Sequence, residues 1–371
     1  MIYLDSAATT LLKPATVEHA VIRAMRMYAS PGRGGHMPSL GAASVVYDCR
    51  EAAAKLFHVE SPENIVFTFN ATHALNIAIN SLVHHGARVL VSGFEHNSVT
   101  RPLNALNADI VRCGTSVYDT KRTLDDFKAN IRDADLVVCT HVSNVFGYIL
   151  PVYEIGQMCR ENNVPFIVDA SQSAGILELD VGKLGADFVC MPGHKGLMGP
   201  QGTGILICSS KARPLLYGGT GSDSISQQMP EYLPERLEAG THNVCGIAGL
   251  KAGIEYVAQN GCDSIFRHEM KLMNIMIQRL MYEKVKLFYS EHKNQCPVLS
   301  CVFDGIDCEE MAYRLGQMDI CVRSGLHCAP YAHESAGTLN TGTVRMSFSP
   351  FLTEDQVLSA ADNIKQIINN A

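Results

Sequence analysis

The stretch "DFVCMPGHKGLMGPQGTGILICS", residues 187–209, sets one apolar run, 188–191, against a second, 204–209, across a glycine-rich return. The first run has the length of a buried strand and stops at Pro192, after which Gly193, His194 and Lys195 open the turn. A lysine at the carboxyl end of a strand, among glycines, sits where a ligand would lie with little side-chain bulk around it. Once its surroundings lower its pKa, such a lysine can form a Schiff base. The local alternative is a surface lysine in a turn.

Short apolar runs of the same kind precede this stretch: "NIVFTF" (64–69), "RVLVSG" (88–93), "LVVCTH" (136–141) and "PFIVDA" (165–170). Helix-like segments such as "THALNIAINSLVHHG" and "PVYEIGQMCRENN" lie between them. This alternation predicts an α/β fold with a mostly parallel sheet covered by helices on both faces. Ligands in that architecture collect at the carboxyl ends of the strands. After Gly240, "THNVCGIAGLKAGIEYVAQNG" predicts one long helix. The remainder mixes helices with short strands ("PVLSCVFDG", "TVRMSFS") and closes on an amphipathic helix. The expected organisation is a large domain over 13–250 and a smaller α+β domain over 251–371, with residues 1–12 packing on the latter.

The residues that end the runs carry the chemistry. "PFIVDASQSAG" ends on Asp169, a carboxylate that is costly to bury without a cationic partner, with Gln172 three residues on. Pyridoxal phosphate needs such a carboxylate, because it keeps the pyridinium nitrogen protonated; the alternative is a helix N-cap. "FTFNATHALNIAI" turns from strand to helix at Asn70-Ala71-Thr72-His73, where free amides and the helix dipole make a phosphate seat, unless Thr72 is simply a cap. His96 in "SGFEHNSV" could stack on an aromatic cofactor or make a structural polar contact. Asn144 in "CTHVSNVFG" ends another run and also reads as a turn residue. A single cofactor would explain all of these positions together.

Composition narrows the classes. The chain has 371 residues, 47% apolar and 18% charged, as a soluble globular enzyme does. A net charge of −7, low aromatic content and no tryptophan argue against a nucleic-acid face. No apolar stretch approaches a membrane span. Thirteen scattered cysteines, none spaced C-x-x-C, fit neither a disulfide framework nor a zinc site. They suit a reducing compartment, and with no leader-like N-terminus a cytoplasmic location is expected. One cysteine differs from the rest. In "VRSGLHCAPYAHES" (322–335), Cys328 lies in loop chemistry between Gly325 and Pro330, where His327 and Arg323 could lower its pKa. The alternative is a semi-buried structural cysteine.

Taken in order, "YLDSAATT", "NATHALN", "EHNSV", "VSNVFG", "VDASQSAG", "GHKGLMGPQGTG", "EAGTHN", "RSGLHCA" and "VRMSFSPFLT" resemble the cysteine desulfurases, nearly end to end. These are class V members of the aspartate-aminotransferase-like, fold type I pyridoxal-phosphate enzymes. "RSGLHCA" is similar to the type II group, used in sulfur mobilisation for iron–sulfur cluster assembly. The resemblance implies a large domain with a mostly parallel seven-stranded sheet and a smaller α+β C-terminal domain. It also implies that Lys195 holds pyridoxal 5'-phosphate, Asp169 pairs with the ring nitrogen, Gln172 meets the ring hydroxyl and His96 stacks on the ring. Thr72 and His194, in segments that include His73, would bind phosphate, joined by Thr241 across a homodimer interface. Arg345 would clamp the carboxylate of L-cysteine with help from Asn144, and Arg323 and His36 match positions nearby. Cys328 would take the sulfur as a persulfide, release L-alanine and pass the sulfur to an acceptor protein.

Four departures stand out: Pro192 where relatives carry a phosphate-binding serine, Asn70 for a glycine, Leu326 for a second histidine, and a short segment 218–237. They bear on substrate preference, so a selenocysteine lyase or another class V C–S lyase remains the alternative. A cofactor-bound sulfur-carrier scaffold without catalysis is a further one, although Lys195, Asp169 and Arg345 are all intact.

Overall fold

The computed structural model describes residues 1–32, 34–208, 212–281 and 284–370. The strands in chain order are β1 (Ile2–Tyr3), β2 (Ile65–Thr68), β3 (Arg88–Ser92), β4 (Asp109–Cys113), β5 (Leu136–Thr140), β6 (Phe166–Asp169) and β7 (Phe188–Pro192). They continue with β8 (Gly204–Cys208), β9 (Val285–Phe288), β10 (Val298–Phe303), β11 (Ile320–Cys321), β12 (Arg323–Gly325) and β13 (Thr343–Ser347). The last residue of the expected run 204–209, and residue 371, lie outside the described residues.

A seven-stranded sheet runs in the order β2-β8-β7-β6-β5-β3-β4. β8 alone opposes its neighbours, pairing antiparallel with both β2 and β7. The reason lies between β7 and β8. The return from Gly193 to Thr203 is too short for a helical crossover, which takes roughly a dozen residues or more. The other strands are joined by helices, including Ala71–Leu82, Asn97–Ala105 and Val152–Asn162, and pair in parallel. β2, β5, β6, β7 and β8 are buried throughout, which is why they read as unbroken apolar runs. β4 is the exception. It is an edge strand, half in solvent, and Asp109 and Arg112 interrupt the apolar run that would have marked it.

Buried side chains form one cluster on each face of this sheet. A third cluster gathers around a four-stranded antiparallel sheet of order β12-β13-β10-β9. Helices Cys262–Leu280 and Glu354–Asn369 cover that sheet. The second of them starts on a capping box, Thr353 with Gln356, and buries Val357, Ala360, Ala361, Ile364, Ile367 and Ile368 on one face. β1 pairs parallel with β11, so the N-terminus joins this half of the molecule. Helix Val244–Asn260 is continuous across residue 250. The Ser300 hydroxyl donates to the Val145 carbonyl (2.6 Å), fixing the small sheet against the loop after β5.

Candidate active site

The segments following β2, β3, β5, β6 and β7 all open into one cavity of about 250 Å³ at the carboxyl end of the sheet. The small sheet closes it with Arg323, His327, Cys328 and Arg345, and the N-terminal segment adds Ala7 and Ala8.

Lys195 occupies the turn after β7. Hydrogen bonds from Met198 N–H to the Lys195 carbonyl (2.9 Å) and from Gly199 N–H to the Gly193 carbonyl (2.8 Å) close that turn. Side chains are excluded on both sides of it. A Cβ on Gly193 would lie 2.2 Å from Thr203 Oγ1, and one on Gly196 would lie 2.4 Å from the Ala174 carbonyl oxygen. Burial pushes the Lys195 ammonium down to about 8, partly opposed by the attraction of Asp169.

Asp169, at the end of β6, is 2% exposed. Its Oδ1 accepts from Ser171 N–H (2.9 Å), a local turn contact, and no helix starts there for it to cap. Gln172 donates through Nε2 to the Ala7 carbonyl (3.0 Å) while lining the cavity. His194 pairs through Nδ1 with Thr9 Oγ1 (3.0 Å), and burial lowers it to about 4.

His96 caps helix Asn97–Ala105 and faces the cavity as well. Its Nδ1 accepts from Ser98 N–H (3.0 Å), which places the proton of the neutral ring on Nε2. Burial lowers its pKa to about 4, so the ring is neutral at pH 7. Ser98, which the sequence motifs did not single out, bonds His96 Nδ1 (2.9 Å) and Thr72 Oγ1 (2.7 Å) through its hydroxyl. The cap of helix Ala71–Leu82 is Asn70, whose Oδ1 accepts from His73 N–H (2.9 Å). Thr72 is thereby released from capping, and its hydroxyl sits with that of Ser98 beside the free amides of the helix. Pro192 also lines the cavity and offers no hydroxyl.

Arg345, on β13, is 1% exposed. Nη2 pairs with Asp5 Oδ1 (2.6 Å) and Nη1 donates to the Asn144 carbonyl (3.1 Å), while Nε is buried without a partner. Arg323 stands beside it in the β12–β13 register and is exposed. Asn144 also donates through Nδ2 to the His327 carbonyl (2.8 Å), so one residue supports both Arg345 and the turn that carries Cys328.

That turn spans Leu326 to Ala329, closed by Ala329 N–H to the Leu326 carbonyl (2.9 Å). His327 and Cys328 both have left-handed backbone, φ 49° and 58°, at about 1–2 kcal/mol each for a residue with a side chain. Asn97 N–H donates to the Cys328 carbonyl (2.7 Å) and ties the turn to the loop after β3. Cys328 is exposed and lines the cavity. The idea that His327 activates it as a neighbouring cation is corrected here. The His327 ring is buried against Thr343 at 3.1–3.2 Å, and burial together with Arg345 lowers its pKa to about 2, leaving no imidazolium at neutral pH. Arg323 lines the cavity together with Cys328.

Three expected positions lie elsewhere. His73 and Thr241 line a separate pocket with Phe69, Leu216 and Glu238, and His36 is an exposed cap on helix Met37–Leu56. A buried acid was also missed. Glu95 is fully buried beneath His96, accepts from Thr140 N–H (2.7 Å), and is pushed up to about 8 by burial. An acid between Phe94 and His96 at the end of an apolar run was the available signal.

A lysine and a buried aspartate on adjacent strand ends, beside a helix N-terminus, define the architecture of a fold type I pyridoxal-phosphate enzyme. The aminotransferase class-V family model matches residues 2–359, and the chain belongs to that family. It is 34% identical to a probable cysteine desulfurase of Methanothermobacter thermautotrophicus, over 99% of this chain and 94% of the relative. It is 32% identical to a protein of the same description from Pyrococcus abyssi, over 100% and 95%. Among solved structures, the apo cysteine desulfurase of Thermococcus onnurineus superposes with a TM-score of 0.93 at 32% identity, covering 100% of this chain and 95% of that one. The Escherichia coli cysteine desulfurase CsdA, solved as its S-sulfonic acid, gives 0.87 at 25% identity, covering 99% and 94%.

Proposed function

We propose that this chain is a pyridoxal 5'-phosphate-dependent cysteine desulfurase that converts L-cysteine to L-alanine and takes the sulfur as a persulfide on Cys328. The observation that carries this reading is the position of Cys328: among the described residues it is the one cysteine lining the cavity that Lys195 and Arg345 also line. The residues present suit the cofactor. Asp169 is a buried carboxylate with no ion-pair partner among the described residues, as a site for a pyridinium requires. Lys195 would hold the cofactor, His96 would cover the ring, Gln172 would meet its hydroxyl, and Thr72, Ser98 and His194 would take the phosphate.

Bound there, the cofactor supplies an electron sink for the substrate's α-carbon. Arg345, which lines the cavity, binds the substrate carboxylate, and Asn144 holds the guanidinium in place. Lys195 Nζ, once free, takes the α-proton. Cys328 Sγ, as thiolate, attacks the substrate sulfur. The S–S bond forms as the substrate's Cβ–S bond breaks with its electron pair left on carbon, and the transferred sulfur keeps its hydrogen. Two protons complete L-alanine: one goes to Cβ in place of the one lost from the Cys328 thiol, and the other is restored to Cα by Lys195. The exposure of Cys328 lets an acceptor protein collect the sulfur. Thr241 is exposed and remote from its own cavity, which supports a homodimer in which each protomer lends Thr241 to the phosphate site of its partner. Two bodies, 13–250 and 251–371 with 1–12, would then meet at the cavity.

A cytoplasmic location agrees with thirteen free cysteines. Among the described residues no helix is long and apolar enough to cross a membrane.

The test is mass spectrometry after brief incubation of the holoenzyme with L-cysteine and no reductant. One added sulfur on Cys328, with L-alanine released, is the expected result. Loaded cofactor without a persulfide on Cys328 rejects this reading in favour of a lyase acting on selenocysteine.

The lysine makes a separate prediction. Only the neutral amine attacks the cofactor's aldehyde, so attachment to the apoprotein should accelerate as pH rises and reach half its maximum near pH 8. An ordinary lysine would place that midpoint above about 10. Stopped-flow absorbance of the apoprotein mixed with pyridoxal phosphate reads the midpoint directly.

A further inference from the structure

Arg345 is held from both sides. Its Nη1 meets the Asn144 carbonyl and its Nη2 meets Asp5 Oδ1 at 2.6 Å, an ion pair whose side chains are 2% and 20% exposed. The aspartate cannot drift away. Leu4 N–H donates to the Cys321 carbonyl and Ser347 N–H to the Leu4 carbonyl (both 2.8 Å), and Asp5 itself bridges to Ser347, two residues along β13 from Arg345. A fully buried guanidinium needs a counter-charge, and Arg323 next to it in register can only repel it.

We propose that Asp5 is the resident counter-ion of Arg345, a positioning residue that shares the guanidinium with the incoming carboxylate and so keeps carboxylate ligands weakly held. The proposal rests on Arg345 binding the substrate carboxylate. With Asp5 in place, the empty site is neutralised, and an arriving carboxylate gains only the hydrogen bonds that Asp5 leaves open. Without the charge of Asp5, the ligand would be the sole counter-charge of a buried cation. It would bind more tightly and leave more slowly. A purely structural role predicts the reverse, because a loosened Arg345 binds carboxylates less well.

Asp5→Asn keeps an acceptor for Nη2 and removes the charge. Thermal-shift titration of the holoenzyme with L-alanine and with acetate should show tighter binding of both, by about tenfold or more, and a lower melting temperature without ligand. Under turnover, KM for L-cysteine should fall while kcat also falls, as product release slows. If Asp5→Asn does not accumulate as folded protein, Asp5→Glu takes its place, with a smaller tightening because the carboxylate is displaced. Unchanged or weaker carboxylate binding, with binding abolished in Arg345→Ala, overturns the role of Asp5 alone. Undiminished binding in Arg345→Ala overturns the carboxylate clamp and this proposal with it.

Discussion

Lys195→Ala is expected to abolish turnover of L-cysteine, by roughly 10⁴-fold or more, and to remove the visible absorbance of the covalently held cofactor. On the proposed reading two functions are lost at once, because the same amine would anchor the cofactor and carry the α-proton. Among the described residues no other lysine lines the cavity. Lys13 is the nearest rival, half-buried and lowered by burial to about 8, but its Nζ is spent on Thr10 and on the His194 carbonyl (3.0 Å) and does not line the cavity. Lys13→Ala should therefore retain the covalent absorbance. The spectra of the two variants after incubation with pyridoxal phosphate separate the roles, and full turnover by Lys195→Ala would sink the assignment.

The largest effect on stability is expected at Glu238. Its carboxylate is 6% exposed and takes Arg50 Nη1 (2.8 Å), Arg50 Nη2 (2.5 Å) and Phe67 N–H (2.6 Å), with His242 Nε2 at 3.2 Å. Arg50 is equally buried and lies over the Phe67 ring. Glu238→Ala strands that guanidinium without a counter-charge, at a cost of about 3–5 kcal/mol. Replacing the pair together, as Arg50→Met with Glu238→Leu, should recover most of the loss. The exposed pair Lys271–Glu354 makes the contrast, since breaking it should cost under about 1 kcal/mol. Urea unfolding midpoints rank the variants, and equal midpoints for the Glu238 and Glu354 substitutions would refute the argument.

Much of this was legible in the chain itself. The strand runs ending at Asp169 and Lys195 are apolar throughout because both faces of a parallel sheet are covered, and their ends are marked by abrupt polar residues. β4 was not legible, because an edge strand needs no unbroken apolar run. The cap of helix Ala71–Leu82 shows a different limit. Asn70 and Thr72 both have capping side chains, and only backbone geometry assigns the cap to Asn70 and frees Thr72 for Ser98. His327 shows a third. Sequence adjacency to Cys328 suggested a cationic helper, but two consecutive left-handed residues leave the thiol at the cavity and its neighbour buried against Thr343.

The sequence by itself determined the α/β class, the strand ends that bear Lys195, Asp169 and His96, and the family motifs that run from the N-terminus to Arg345. These are local properties: apolar periodicity, turn residues and the spacing of side chains along one chain. The tertiary structure alone decided that β8 pairs with the distant β2, that Asp5 pairs with Arg345 and that Glu238 pairs with Arg50. Each joins residues far apart in the chain. Their energies depend on burial and on charge at a few ångströms, which no local pattern encodes.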